Sequence, residues 1–184
     1  MTTPSLGPTE ITAGRLHLRP WRAADADAVH AVCSDPEVQR WTTLPAVGHR
    51  EHAVDYVERL SPQGWADGTA ACFAVVDATT GDLLANVSLS DIADAAAVIG
   101  FWAGPEARGR GVTTEAVGAV CRWGFGALGL ERVTWYAIVG NAGSRRVAER
   151  NGFVVEGTLR RWLVQRGERR DAWVAGLLPG DLPQ

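Results

Sequence analysis

No lysine occurs anywhere in the chain; all 18 basic residues are arginine. The sequence therefore carries no side-chain primary amine, and the α-amino group at Met1, or at Thr2 once the methionine is removed, is its one amine nucleophile. Cysteine is nearly as scarce. Cys33, Cys72 and Cys121 are isolated, without CxxC or Cys/His spacing, which argues against a disulfide framework and against a structural zinc site, and no metal is expected. They read as small buried hydrophobes. No apolar run approaches the length of a membrane span, and residues 1–12, polar and broken by Pro4 and Pro8, lack the apolar core of a signal peptide. The expectation is a cytoplasmic protein with no membrane partner. A net charge of −3 supplies no basic footprint for nucleic acid.

What is present is ordinary globular composition, 46% hydrophobic and 21% charged over 184 residues, enough for one domain and little more. The expected organisation is a loose segment at 1–12, a single domain at 13–178 and a tail at 179–184. Residues 15–19 alternate polar and apolar and read as a strand, and 23–33 read as a helix with Val29, Val32 and Cys33 inward. Asp35-Pro36 signals a turn. A weaker helix covers 49–60, with Pro62 and Gly64 expected to break the chain after it. Strands follow at 72–76, 83–89 and 98–103, separated by turns at 77–82 and 91–96. An amphipathic helix from Val112 to about Leu128 comes next, closed by Gly129. The continuous β-branched and aromatic run at 132–139 suits the centre of a sheet covered on both faces. A short helix at 142–150 and strands at 153–159 and 170–177, the last facing a hairpin partner across Gly167, complete a mixed α/β fold.

The sharpest local signal is Arg108-Gly109-Arg110-Gly111-Val112-Thr113, between a strand and the amphipathic helix. Two glycines allow close backbone approach to an anion, and the first helical turn presents unpaired amides toward it. Arg108 and Arg110 could add cationic contacts, though an RGRG turn can also form without binding anything. The GxxxxGK[ST] pattern of a P-loop is missing, and a dinucleotide fingerprint fails because Thr114 stands where glycine is needed.

This segment resembles motif A of the GNAT superfamily of N-acetyltransferases, Q/R-x-x-G-x-G/A, with Arg108 at the Q/R position, Gly111 at the glycine and Thr113 departing at the third. Ile99-Gly100-Phe101-Trp102 before the loop and Thr114-Glu115-Ala116 after it look most like the ribosomal-protein N-terminal acetyltransferase branch. A second stretch agrees: Asn141, Ser144, Val147, Glu149, Gly152-Phe153 and Glu156-Gly157 resemble that branch's NxxSxxVxExxGFxxEG run. Asn141 and Gly152 read locally as helix caps as well. The resemblance covers residues 15–177 and implies a mostly antiparallel central sheet flanked by helices, with acetyl-CoA in a V-shaped opening between the strands at 98–103 and 132–139.

By that resemblance the amides of Gly109, Arg110, Gly111, Val112 and Thr113 bind the pyrophosphate. A backbone amide at a bulge near Phe101, Trp102 and Ala103 meets the thioester carbonyl, and Asn141 contacts the pantetheine arm. Ser144 is the candidate donor to the departing sulfur, because the tyrosine many relatives use is replaced here by Ala148. The branch's glutamate is replaced by Leu163, so the base is open; Asp91, Glu106 and Glu156 are the candidate carboxylates. That replacement places a small-molecule or metabolite amine first as acceptor, with a peptide or protein N-terminus as the alternative and a non-catalytic acyl-CoA-binding protein third. The chain is expected to act as a monomer or homodimer. Arg160, Arg161, Arg166, Arg169 and Arg170 cluster around the last hairpin; bordering the opening, they would favour an anionic acceptor.

Overall fold

A computed structural model describes residues 6–44 and 49–183. Alternation of Leu16 and Leu18, both fully buried, sets the first hairpin: β1 (Ile11–Ala13) pairs antiparallel with β2 (Leu16–Pro20). This strand and Leu6, packed on the core, show that ordered structure starts inside the segment expected to be loose; residues 1–5 lie outside the described ones. A 3-10 turn at Ala23–Asp25 leads into α1 (Ala26–Cys33). Asp25 closes that turn on the Arg22 amide at 2.8 Å and is gripped in two-pronged fashion by the buried Arg19 at 2.7 and 2.8 Å.

Two expectations fail in the next stretch, each for a local reason. Asp35-Pro36 does not make a plain turn but starts α2 (Pro36–Trp41), because Asp35 accepts from the amides of Glu37 and Val38 and proline suits a first helical position. Pro62 and Gly64 do not end the following helix. The chain runs from α3 (Arg50–Asp55) through a π-helical turn, Tyr56–Leu60, into α4 (Ser61–Asp67), and stops only at Gly68 with φ +71°. The wide turn comes just before Pro62, where an ordinary turn would lack an amide donor. Gly64 is needed for packing, since an added Cβ would fall 2.8 Å from that of Ala70. Part of the stretch between α2 and α3, residues 45–48, lies outside the described residues.

The sheet follows as β3 (Ala71–Asp77), β4 (Leu83–Ala93) and β5 (Ala96–Ala103), then α5 (Val112–Ala127), β6 (Arg132–Ile138), α6 (Ala142–Arg150), β7 (Val154–Gln165) and β8 (Glu168–Leu177). The order is β1-β2-β3-β4-β5-β6-β8-β7, with every pairing antiparallel except β5–β6. The β4–β5 connection is tighter than the sequence suggests. Asp94 and Ala95 alone make it, both at positive φ, and the extra residues are absorbed by an irregularity between Ser90 and Ala93.

One sheet face buries Phe73, Val87, Leu89, Ile99, Val133 and Trp135 under α5 and α6; the other buries Cys72, Ala74 and Trp102 under α1, α2 and α3. β3 is thus covered on both sides, which explains its unbroken apolar run. The C-terminal residues dock rather than trail, with Leu182 on the core and the Asp181 carbonyl so close over Gly152 that any Cβ there would fall 2.1 Å from it. Among the described residues no helix is long and apolar enough to cross a membrane.

Candidate active site

The site begins where two parallel strands part. β5 and β6 are in register from Ala96↔Arg132 to Ile99↔Trp135, and beyond that point neither pairs with the other, although β5 continues to Ala103 and β6 to Ile138. β5 keeps unbroken register with β4 through Phe101, Trp102 and Ala103, so the expected bulge is not there; loss of pairing with β6 alone makes the opening. A cleft of about 1280 Å³ passes through it. That exceeds the usual volume of roughly 300–1,000 Å³ for one small ligand and leaves room for two reactants meeting in the sheet.

On the side of α5 and α6 the cleft is lined by Phe101, Ala103, Arg108, Gly109, Gly111, Val112, Thr113, Asn141 and Ser144. Gly109 and Gly111 have φ of +71° and +78°, and a Cβ at either would meet no atom within 4 Å, so the backbone here faces open space. α5 starts without a side-chain cap. The amides of Val112, Thr113 and Thr114 find no backbone acceptor among the described residues; pairing resumes at Glu115, which donates to Gly111 at 3.0 Å. Free amides, left-handed glycines and a helix N-terminus make a cradle suited to a diphosphate.

The two loop arginines differ. Arg108 Nη2 is held by Asp35 at 2.5 Å and by the Ala103 carbonyl at 3.3 Å. Its Nε and Nη1 have no hydrogen-bond partner among the described residues. Arg110 does not line the cleft; its guanidinium turns back onto the Glu106 carbonyl at 3.0 Å, which removes the cationic contact expected of that side chain. Asn141 caps α6 by accepting from the Ser144 amide at 3.1 Å. The Ser144 hydroxyl accepts from the indole N–H of the buried Trp135 at 3.1 Å, which leaves its own proton to donate into the cleft. Ala148 is fully buried and has no proton to donate.

None of the carboxylates proposed as base reaches the cleft. Asp91 sits at the irregular end of β4 with φ +51°, and Glu106 lies in the 3-10 turn before the loop. Glu156 is clamped by Arg132 at 2.6 and 2.9 Å, and that guanidinium holds its carboxyl below the ordinary range. The carboxylates that do line the cleft are Glu37 and Asp55, beside His30, His49 and His52. Asp55 is tied to Arg59 at 2.5 and 2.6 Å, whereas among the described residues Glu37 accepts a hydrogen bond only from the Trp41 indole at 3.1 Å and has Arg40 no nearer than 3.7 Å. Glu37 is thus the less tightly held of the two among the described residues.

Sequence reasoning missed all five residues, because they arrive from α1 to α3 without motif or periodicity of their own. It also missed Arg146 and Arg150, whose four-residue spacing on α6 puts both on the cleft. Leu163 lines the cleft as expected of the position it fills. The five arginines of the last hairpin do not; Arg166 instead grips Gln39, and Arg169 donates to the Arg161 carbonyl.

The GNAT acetyltransferase domain family matches residues 15–154. The chain belongs to that family. This GNAT chain is 28% identical over 170 residues to the N-acetyltransferase YoaA of Bacillus subtilis (strain 168), covering 91% of the chain and 96% of that protein. Its fold is similar to that of RimJ of Mycobacterium smegmatis in complex with CoA-disulfide, at TM-score 0.82 and 23% identity over 99% of the chain and 90% of RimJ. A ribosomal-protein-S5-alanine acetyltransferase from Vibrio fischeri superposes at TM-score 0.82 and 22% identity, over 96% and 100% of the two chains. The cradle geometry fits coenzyme A, and the chain is an acetyl-CoA-dependent acetyltransferase.

Proposed function

We propose that the enzyme acetylates the α-amino group of a peptide or protein N-terminus. The observation that carries this reading is the second mouth of the cleft. On the face of α1 to α3 it opens over strands β4 to β6, where Gly100 is exposed and Ser88, Ser90, Val98 and Tyr136 are only half-buried. An acceptor with a chain behind its amine can lie in such a groove, whereas a metabolite would fill only its inner end. Likeness in fold to RimJ and to the S5-alanine acetyltransferase supports the same order. It reverses the preference for a small amine that Leu163 suggested.

In this reading acetyl-CoA supplies the acetyl group and the thiol that leaves. The amides of Gly109, Gly111, Val112 and Thr113 would hold the pyrophosphate, with Arg108 Nε and Nη1 and the α6 arginines adding charge. Asn141 would meet the pantetheine arm. β5 amides in the stretch Phe101, Trp102 and Ala103, past the last pairing with β6, would polarise the acetyl carbonyl. Ser144 lines the cleft beside Asn141, its oxygen held by Trp135, and would donate its proton to the departing sulfur. Glu37 stands on the acceptor side and would take the amine proton through water.

The test offers the purified enzyme and acetyl-CoA to tetrapeptides with free N-termini, polyamines, aminoglycosides, amino acids and nucleoside amines, following thiol release and locating the acetyl group by mass spectrometry. Peptide α-amines should give the highest kcat/KM. Faster turnover of any metabolite amine would overturn the reading.

A further inference from the structure

β4 carries three polar side chains in alternate positions, Asn86, Ser88 and Ser90, all lining the cleft. Alternate residues share a face of the sheet. Their register partners Trp102, Gly100 and Val98 place the stripe beside the strand that borders the opening. Asn86 ties it to the covered side, since its neighbours across β3 and β5, Ala74 and Trp102, pack beneath α1 to α3.

Asn86 is 5% exposed, yet only half of its carboxamide is engaged. Its Oδ1 accepts from the Tyr56 hydroxyl at 3.3 Å, and burial keeps that phenol protonated well above its ordinary range. Its Nδ2 has no hydrogen-bond partner among the described residues. Asn86 lines the cleft, so this N–H is available to an acceptor that a bound molecule supplies. The two serines are barely engaged: Ser88 Oγ reaches the Gly100 carbonyl at 3.5 Å, and Ser90 Oγ reaches Asp91 at 3.4 Å. Gly100 keeps the floor low, for a Cβ there would meet only the Ser88 hydroxyl, at 3.6 Å.

We infer that this stripe reads the backbone of an extended acceptor peptide, with Asn86 anchoring the inner end and Ser90 the outer. The inference rests on the N-terminal acetylation reading and adds the residues that select for it. Side chains two apart on a strand repeat every ~6.8 Å, and the downward-facing groups of an extended peptide repeat at the same interval. The stripe from Asn86 to Ser90 spans ~13 Å, about four peptide residues. A small amine could engage Asn86 but could not reach Ser90.

The test compares wild type with Ser90→Ala, Asn86→Leu and Tyr56→Phe on di- and tetrapeptides of one sequence. Ser90→Ala should raise KM for the tetrapeptide roughly three- to tenfold, the value of a hydrogen bond or two, and leave the dipeptide unchanged. Asn86→Leu should raise KM for both peptides, and Tyr56→Phe should do so more weakly, by releasing the carboxamide from its set orientation. Calorimetry should give an unaltered coenzyme A affinity in all three variants, and circular dichroism an intact fold. Peptides acetylated with the same KM by wild type and Ser90→Ala at both lengths would overturn the stripe while leaving N-terminal acetylation standing. Acetylation of metabolite amines with no peptide accepted would overturn both.

Discussion

Ser144 sits where a structural and a catalytic role overlap, and a double-mutant cycle with Trp135 separates them. The Trp135 indole N–H donates to Ser144 Oγ at 3.1 Å, and Trp135 is 1% exposed, so Ser144→Ala strands a buried donor. The expected loss is about 1–3 kcal/mol, the cost of leaving such a group unsatisfied. Trp135→Phe removes the donor and carries its own packing cost. In the double variant the stranded N–H no longer exists, so the two single losses should not add; the coupling should be about 1 kcal/mol. Urea unfolding followed by circular dichroism reads this at one pH. Turnover should follow a different pattern. If the hydroxyl donates to the departing sulfur, kcat falls in Ser144→Ala and does not recover in the double variant, whatever its stability. A thiolate leaves readily, so the loss should be modest, about tenfold rather than the 10²–10⁴ of a demanding proton transfer. Additive stability losses would refute the indole–hydroxyl bond. Wild-type kcat in Ser144→Ala would remove the serine from the chemistry.

Gly111→Val should lower stability by about 1–2 kcal/mol, since a β-branched residue is placed at φ +78°, and should weaken coenzyme A binding at least ~100-fold, because the new side chain meets open cleft rather than protein. Isothermal calorimetry on the folded variant decides it; unchanged affinity would clear the loop of any part in binding. Asp25→Asn should cost about 3 kcal/mol or more by leaving the buried Arg19 without its partner. Burial alone would raise the Asp25 pKa, but the bonds from Arg19 and Arg22 outweigh it and hold the group below its ordinary value. The native pair therefore contributes fully above the unfolded carboxylate pKa of about 3.9 and less as pH falls through the lower folded value. The stability gap between wild type and variant should narrow on acidification from pH 5 to pH 2; a gap constant over that range would show that Asp25 is not the ionised partner.

The parts legible in the sequence are those whose physics is local. The glycines of the RGRG loop, the apolar stripe of α5 and the caps at Asn141 and Gly129 announce themselves within a few residues, and the fold places them as read. Most strand spans are legible too, because alternation or unbroken β-branched runs report burial directly, although β1 lies in the segment expected to be loose and β7 runs on to Gln165. What failed depended on partners far along the chain. Asp35 reads locally as a turn former, whereas its carboxylate caps α2 and holds Arg108, 73 positions away. Pro62 looked like a breaker because nothing local reveals a π turn ahead of it. The acceptor side of the cleft is assembled from α1 to α3 and the exposed face of β4, so no single window of sequence contains it.

The helix that sequence reasoning missed is also the one that joins the two halves of the site. α2 is fixed at its start by Asp35, whose Oδ1 accepts from two helix amides and from Arg108 of the diphosphate loop. At its end the buried Gln165 side chain donates to the carbonyls of Gln39, Arg40 and Thr42 at 3.3, 3.0 and 2.9 Å, pinning the last turn to the β7–β8 hairpin. Between these anchors Trp41 crosses to Gly140, just before α6, where a Cβ would meet the indole at 3.5 Å. Six residues thus span the cleft from the cofactor loop to the far hairpin, and they carry Glu37 and Val38 into it. A helix this short has little stability of its own. Its position comes from side chains outside it, so the placement of Glu37 in the cleft depends on the same Asp35–Arg108 contact that holds the glycine loop.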